Sequence, residues 1–298
     1  MGEPVTYFNR RTLEVETEAI YGEGFLRWAY EKPLGRLALW LLVKRAIFSR
    51  WYGWRMNQPK SRRLIAPFIA RYGIREDEMM AAWEEFPHFN AFFSRKLRPA
   101  ARPICAEEDV VVFPADGRHF VLPDIAAADG IFVKGIRFEL RQLLRDDALA
   151  ARYEHGSLLI SRLCPVDYHR FHFPCDGTPG AASLVDGPLF SVNPVALRVR
   201  PTIFWENKRV ITRLQSSAFG ELLLLEVGAT CVGTIRQSFA RDVAVRKGDE
   251  KGSFLFGGSC VITIFEPGRI RFADDVLEQS AQRREVYAWM GDEMGRGS

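Results

Sequence analysis

Three short segments carry side chains able to run acid–base and nucleophilic chemistry. In Pro114-Ala115-Asp116-Gly117 a carboxylate follows the apolar run 110–113. Asp167-Tyr168-His169-Arg170-Phe171-His172 holds two of the chain's five histidines, three residues apart. In Gly257-Gly258-Ser259-Cys260 paired glycines lead a serine into a β-branched run. A neutral imidazole, with an ordinary pKa of about 6.5, suits proton removal near pH 7. A carboxylate can orient it and a hydroxyl can serve as nucleophile, so Asp, His and Ser together supply the parts of a relay. Singly, each segment also matches ordinary structure: an Asx-type turn, two locally hydrogen-bonded histidines, a glycine turn entering a strand. Residues 169 and 172 share a side in a helix or turn and face opposite ways in a strand. A serine hydrolase is disfavoured, because Gly-Gly-Ser-Cys lacks the GxSxG elbow.

The elements that must hold these segments change character along the chain. From about Val110, short β-branched runs alternate with Gly and Pro. Strands are expected at 110–113, 132–134, 157–162, 189–192, 209–214, 221–227, 231–235, 260–265 and 269–272. Helices are expected there only at 138–145 and 275–290. The earlier part reads as a short arm over 1–30 with a helix near 22–31, an apolar helix over 34–48 that begins after Pro33, and further helix at 66–71 and 77–83. Pro99 and Pro103 mark a boundary. The fold class is therefore α+β. A basic N-terminal helical region, 1–98, precedes a strand-rich, β-sandwich- or barrel-like body, 99–298.

Charge sharpens that division. The chain of 298 residues has a net charge of only +4, yet Lys32–Arg75 holds eleven basic residues and no acidic one. Thirty basic and thirty-seven acidic residues remain elsewhere. Such a block favours an anionic partner. The chain has no GxGxxG, no phosphate loop and no nucleic-acid motif, so a membrane surface is preferred to nucleic acid. The uncharged apolar run 37–43 is far short of the roughly 20 residues that span a bilayer. With Trp28, Trp40, Trp51 and Trp54 near by, it suits an interfacial helix. A core helix of a helical cap has the same composition. Five cysteines, an odd number without CxxC spacing, argue against a disulfide framework and a zinc site and favour a reducing compartment. No secretory signal is visible at the start.

In order, PADG, DYHRFHFPCDG, SVNP, VGATCVGTI and KGDEKGSFLFGGSCVITIFEPG resemble the blocks of the phosphatidylserine decarboxylases, from about Phe89 to Gly268. The resemblance implies a self-processing proenzyme cut between Gly258 and Ser259, giving a β chain of residues 1–258 and an α chain of residues 259–298. Asp116 would orient His172, and His172 would deprotonate Ser259 for attack on the Gly258 carbonyl. Elimination would turn Ser259 into a pyruvoyl cofactor, with no metal. That ketone would form a Schiff base with phosphatidylserine, release carbon dioxide and yield phosphatidylethanolamine, with His169 protonating and holding the substrate. A homodimer of processed protomers is implied, held peripherally on an anionic membrane at the cytoplasmic face. One residue departs from the pattern: Cys260 stands where the family has Thr or Ser. Processing is expected to survive it, more slowly. The alternative is a processing-deficient relative that serves as a lipid-binding module. A soluble amino-acid substrate is disfavoured by the basic, Trp-bearing segment.

Overall fold

Runs such as Leu158-Leu159-Ile160 and Leu222–Leu225 are apolar on successive residues, which suits strands covered on both faces. The computed structural model, which describes residues 4–20, 22–39, 46–128, 138–229, 235–255 and 259–298, bears this out. The chain opens with β1 (Thr6–Asn9), β2 (Glu14–Thr17), α1 (Glu23–Glu31), α2 (Pro33–Ala38), α3 (Ala46–Met56), α4 (Ile65–Tyr72) and α5 (Phe89–Phe93). Next come β3 (Val110–Val112), β4 (Gly117–Leu122), α6 (Leu140–Leu144), α7 (Asp147–Arg152), β5 (Ser157–Leu163), β6 (Arg170–His172), β7 (Thr178–Pro179) and β8 (Ser183–Val185). The remainder is α8 (Pro194–Val199), α9 (Ile203–Glu206), β9 (Arg209–Ser216), β10 (Gly220–Val227), β11 (Ile235–Gln237), β12 (Glu250–Phe254), β13 (Ser259–Phe265), β14 (Ile270–Phe272), α10 (Asp274–Ala281), β15 (Glu285–Ala288) and β16 (Glu293–Gly297). The α+β class and the strand-rich body stand.

Ten strands form one sheet in the order β2-β1-β15-β4-β5-β13-β10-β9-β7, with β8 also on β9. Two three-stranded sheets, β11-β12-β6 and β14-β16-β3, accompany it. Strand periodicity sends alternate residues to opposite faces. Phe120, Leu158, Ile160, Leu223 and Ile262 pack with Leu143, Leu197 and Phe204 from the short helices. Val121, Leu159, Leu222, Leu224 and Phe265 pack with Val111, Phe272 and Met294 from the β14-β16-β3 sheet and Val276 from α10. The body is thus layered: helices, large sheet, small sheet.

The helical region has its own core of Met56, Ile65, Phe68, Ile69, Met79, Phe89, Phe92 and Phe93, with Val166 of the body against it. α4 stops at Gly73, whose φ of 61° is the left-handed conformation that glycine supplies.

Several local expectations change. The arm contains a hairpin, with β1 parallel to β15, so the first strands belong to the large sheet. Residues 77–83 are not an α-helix; short 3-10 turns at Glu76–Glu78 and Trp83–Glu85 replace it. The run 189–192 is not a strand, because Asn207 occupies the backbone of Phe190: its Oδ1 accepts from Phe190 N at 3.1 Å and its Nδ2 donates to Phe190 O at 2.8 Å. The expected helix 275–290 divides into α10 and β15 at Arg283, which has φ 56°. The expected strand 132–134, most of 231–235 and part of the apolar helix 34–48 lie outside the described residues.

Candidate active site

β5 pairs with β13, and β6 pairs with β12. The connection from β5 to β6 therefore runs beside the one from β12 to β13. At one end Ser259 is in register with Leu163. At the other, Phe254 N donates to His169 O at 3.0 Å. The histidine segment and the segment leading to Ser259 are strapped together by the ladders on either side. Ala115, Leu163, Phe171, Phe254 and Val261 form a small apolar cluster beneath this corner. Gly258 lies outside the described residues.

The Asp116 turn joins the corner through its backbone: His172 N donates to Pro114 O at 2.7 Å. Gly117 has to be glycine here, since a Cβ would meet the Arg162 carbonyl oxygen at 2.7 Å. The Asp116 carboxylate is buried and fully occupied. Arg102 donates to both its oxygens at 2.6–2.9 Å, and Met290 N donates to Oδ1 at 2.9 Å. Arg102 also lies over the Trp289 ring, 4.2 Å from its centroid. Among the described residues no hydrogen bond joins Asp116 to His172; the Asp116 partners are Arg102 and Met290 N.

The two histidines differ. His169 precedes β6; its Nδ1 lies 2.9 Å from Asp167 O and its ring packs on Phe93 at 3.9 Å. A carbonyl only accepts, so Nδ1 carries the proton and Nε2 is the ring's basic atom. His172 ends β6, stacked on Tyr168 at 5.8 Å. Its Nδ1 has no hydrogen-bond partner among the described residues. Burial pulls its pKa down to about 4, so it is neutral near pH 7. His119 shows the ordinary alternative: Nδ1 meets Ser161 Oγ at 2.9 Å and the ring stacks on Phe113, as in a satisfied core histidine.

Ser259 is fully buried, and its hydroxyl has no hydrogen-bond partner among the described residues. Buried hydroxyls are normally paired; among the described residues Thr212 and Thr263 share the exception. Cys260 points the other way, into the large helix-side core, and burial pushes its thiol pKa up. A protonated, apolar-packed thiol is a poor competitor for Ser259.

The structure thus brings the histidine segment beside the start of β13, where Ser259 stands, and ties the Asp116 turn to His172 through the backbone. Arg102, Arg95, Tyr168 and Phe93 were not singled out from the sequence. The signal for two of them was present, as the aromatic run 89–93 followed by Arg95.

Comparison with known proteins gives the chain its family. The family model described as Phosphatidylserine decarboxylase matches residues 89–295. A curated relative from Chlamydia pneumoniae, named Phosphatidylserine decarboxylase proenzyme, is 44% identical over 290 residues, covering 97% of this chain and 96% of the relative. Proteins of the same name from Fusobacterium nucleatum and Clostridium kluyveri are 40% and 42% identical, each covering 98% of both chains.

Proposed function

The chain belongs to the phosphatidylserine decarboxylase family, and on that premise we propose that it is a self-processing carboxy-lyase converting phosphatidylserine to phosphatidylethanolamine. The observation that carries the reading is the buried, unpartnered Ser259 hydroxyl at the head of β13, beside the histidine segment. His172, neutral and with a free Nδ1, takes the Ser259 hydroxyl proton. Oγ bonds to the Gly258 carbonyl carbon, the peptide C–N bond breaks, and the Ser259 nitrogen takes a proton. Loss of the Ser259 α-proton then expels the Gly258 carboxylate from Cβ, and hydrolysis of the resulting enamine releases ammonia. Asp116 acts as a positioning group, clamped by Arg102 and Met290 N while its turn holds the His172 backbone.

The residues present suit a pyruvoyl group at position 259: the position is buried, begins a central strand and has no polar partner of its own among the described residues. That ketone supplies an electron sink for the pair released when carbon dioxide leaves. His169 Nε2 passes a proton to the substrate α-carbon, with its ring held by Phe93 and Asp167 O.

The body 99–298, joined by the β1–β2 hairpin, is the proposed catalytic part. The helical region is proposed to dock it on an anionic membrane at the cytoplasmic face, as a homodimer of processed protomers. Phe25, Trp28, Leu37 and Trp51 are exposed, Leu34 is 74% and Trp54 61% exposed, while the region's phenylalanines 68, 89, 92 and 93 are buried. Among the described residues no helix is long and apolar enough to cross a bilayer. Basic residues near such a surface add about 1 kcal/mol each. Vesicle sedimentation with Leu34→Ser and Trp54→Ser checks this; undiminished binding would contradict it.

Intact mass and carbon dioxide release from phosphatidylserine vesicles test the whole reading. Two chains, the smaller of forty residues, and gas release are expected. A single 34.0 kDa chain without activity would sink it. The lipid-binding alternative rested on Cys260, whose side chain faces the core and leaves it little support.

A further inference from the structure

A guanidinium taken out of water must recover its solvation from hydrogen bonds or counter-charges. Arg95 is only 5% exposed, yet among the described residues its Nε and Nη1 make no hydrogen bond. No ion pair joins it to a carboxylate there; its close contact is the Phe92 ring, 5.1 Å from the guanidinium carbon. Burial lowers its pKa to about 10, opposed by the more distant Asp116 and Asp167 carboxylates. It remains a cation at neutral pH.

Arg95 lines two cavities. One, of about 670 Å³, is bordered by Asn57 just past α3, by Lys96, Arg170 and Arg236, and by Leu255, with no acidic residue among the described lining. The other, of about 250 Å³, has Asp116, Arg102 and Tyr168 on its wall. Leu255 lies four residues before Ser259, and Phe93, two before Arg95, packs on His169. The larger cavity thus reaches from the end of α3, where Trp54 is exposed, to the edge of the reactive corner. Its basic lining and its unsatisfied buried cation call for an anion.

We propose that Arg95 binds the phosphodiester of the phospholipid substrate, whose head group enters through the larger cavity. This rests on the phosphatidylserine decarboxylase reading. The substrate offers two anions, and the reaction tells them apart. The carboxylate loses its charge as carbon dioxide forms, so a cation on it would stabilise the ground state against the transition state. The phosphodiester keeps its charge throughout, so a cation there gives equal binding before and during the reaction. Such binding lowers KM and leaves kcat alone.

Steady-state carbon dioxide release from dihexanoylphosphatidylserine, kept monomeric to exclude membrane effects, distinguishes these roles. Processed wild type, Arg95→Lys and Arg95→Met are compared. Loss of charge-assisted hydrogen bonds in Arg95→Met should raise KM about 10- to 100-fold, with kcat held and a smaller rise in Arg95→Lys. Should Arg95→Met fail to fold or process, Arg95→Lys decides by the same criterion. An unmoved KM, or a change confined to kcat, overturns the assignment. An inactive wild type would instead sink the decarboxylase reading itself.

Discussion

Two neighbouring positions on β5 lead into opposite kinds of buried polar environment. Arg162, in register with Cys260, is saturated. Its guanidinium meets Glu285 at 2.6 and 2.9 Å and Glu18 at 2.6 and 3.2 Å, and Cys164 Sγ donates to Glu18 at 3.0 Å. Burial would raise the Glu18 pKa, but the Arg162 charge and hydrogen bonds hold it down to about 2. Leu163, the next residue, faces Ser259, and that corner holds a bare hydroxyl and a bare imidazole nitrogen, with the under-satisfied Arg95 beyond Phe93 and His169. Both environments are out of water. One satisfies its charges within the chain; the other leaves donors and acceptors open, as the proposed reaction and ligand require. Burial alone does not separate structure from function; incomplete pairing adds to it, although Thr212 and Thr263 are also buried with unpaired hydroxyls among the described residues.

That contrast can be broken from either side. The largest effect belongs to the open corner: Ser259→Ala should abolish both cleavage and carbon dioxide release while leaving a folded chain, read by intact mass and circular dichroism. Cleavage in this variant would remove Ser259 from the mechanism. In the saturated cluster, Arg162→Met strands two buried carboxylates and should cost about 3–5 kcal/mol of stability, measured by urea unfolding, yet the folded fraction should still be cut. A stable but uncut Arg162→Met would place Arg162 in the site.

The pH response is intermediate. His172 has a folded pKa of about 4 against about 6.5 unfolded. Between those values the unfolded chain binds the extra proton. Its contribution to stability is therefore complete above pH 6.5 and lost as pH falls through 4, at about 1.4 kcal/mol per pH unit. Replacing it in His172→Gln should flatten the pH–stability curve over that window, and an unchanged slope would deny the buried neutral imidazole. Wild-type cleavage should stay level from about pH 5 to 8 and fall near 4. The smallest effect is expected from Cys260→Ser, a hydroxyl placed in the apolar core. It should lower stability by about 1–3 kcal/mol without changing the cleavage rate, in place of the slower processing expected from the sequence, because residue 260 faces the helix-side core. A marked acceleration would give residue 260 a role its orientation does not suggest.

The segments proposed to carry the chemistry stand out in the sequence because glycines, histidines and the β-branched run form compact, ordered blocks. The central strands were legible too, since β5, β10 and β13 are apolar on both faces. Pairing was not. The sequence left open whether the histidine segment lies in a helix, a turn or a strand, and only the β6–β12 ladder places His172 at a strand end. The hairpin β1–β2 read as an arm because its strands are four residues long and β2 bears charge, and its place is fixed by β15, some 280 residues away. Asn207 shows the same limit: a side chain standing in for a ladder carries no periodic signal. Arg102 was invisible as the partner of Asp116, because its role is one of spatial proximity.

The position of β13 has a bearing on the life of the molecule after a cut at Ser259. The forty residues that follow are laced through the rest: β13 lies between β5 and β10, β15 between β1 and β4, and β16 beside β3. The fragment could leave only by undoing the large sheet, so a severed chain would persist as one woven body without a covalent link. The same lacing orders events in time. Ser259 would meet the histidine segment only once those ladders have closed, so a cut there would be a durable record that folding has finished.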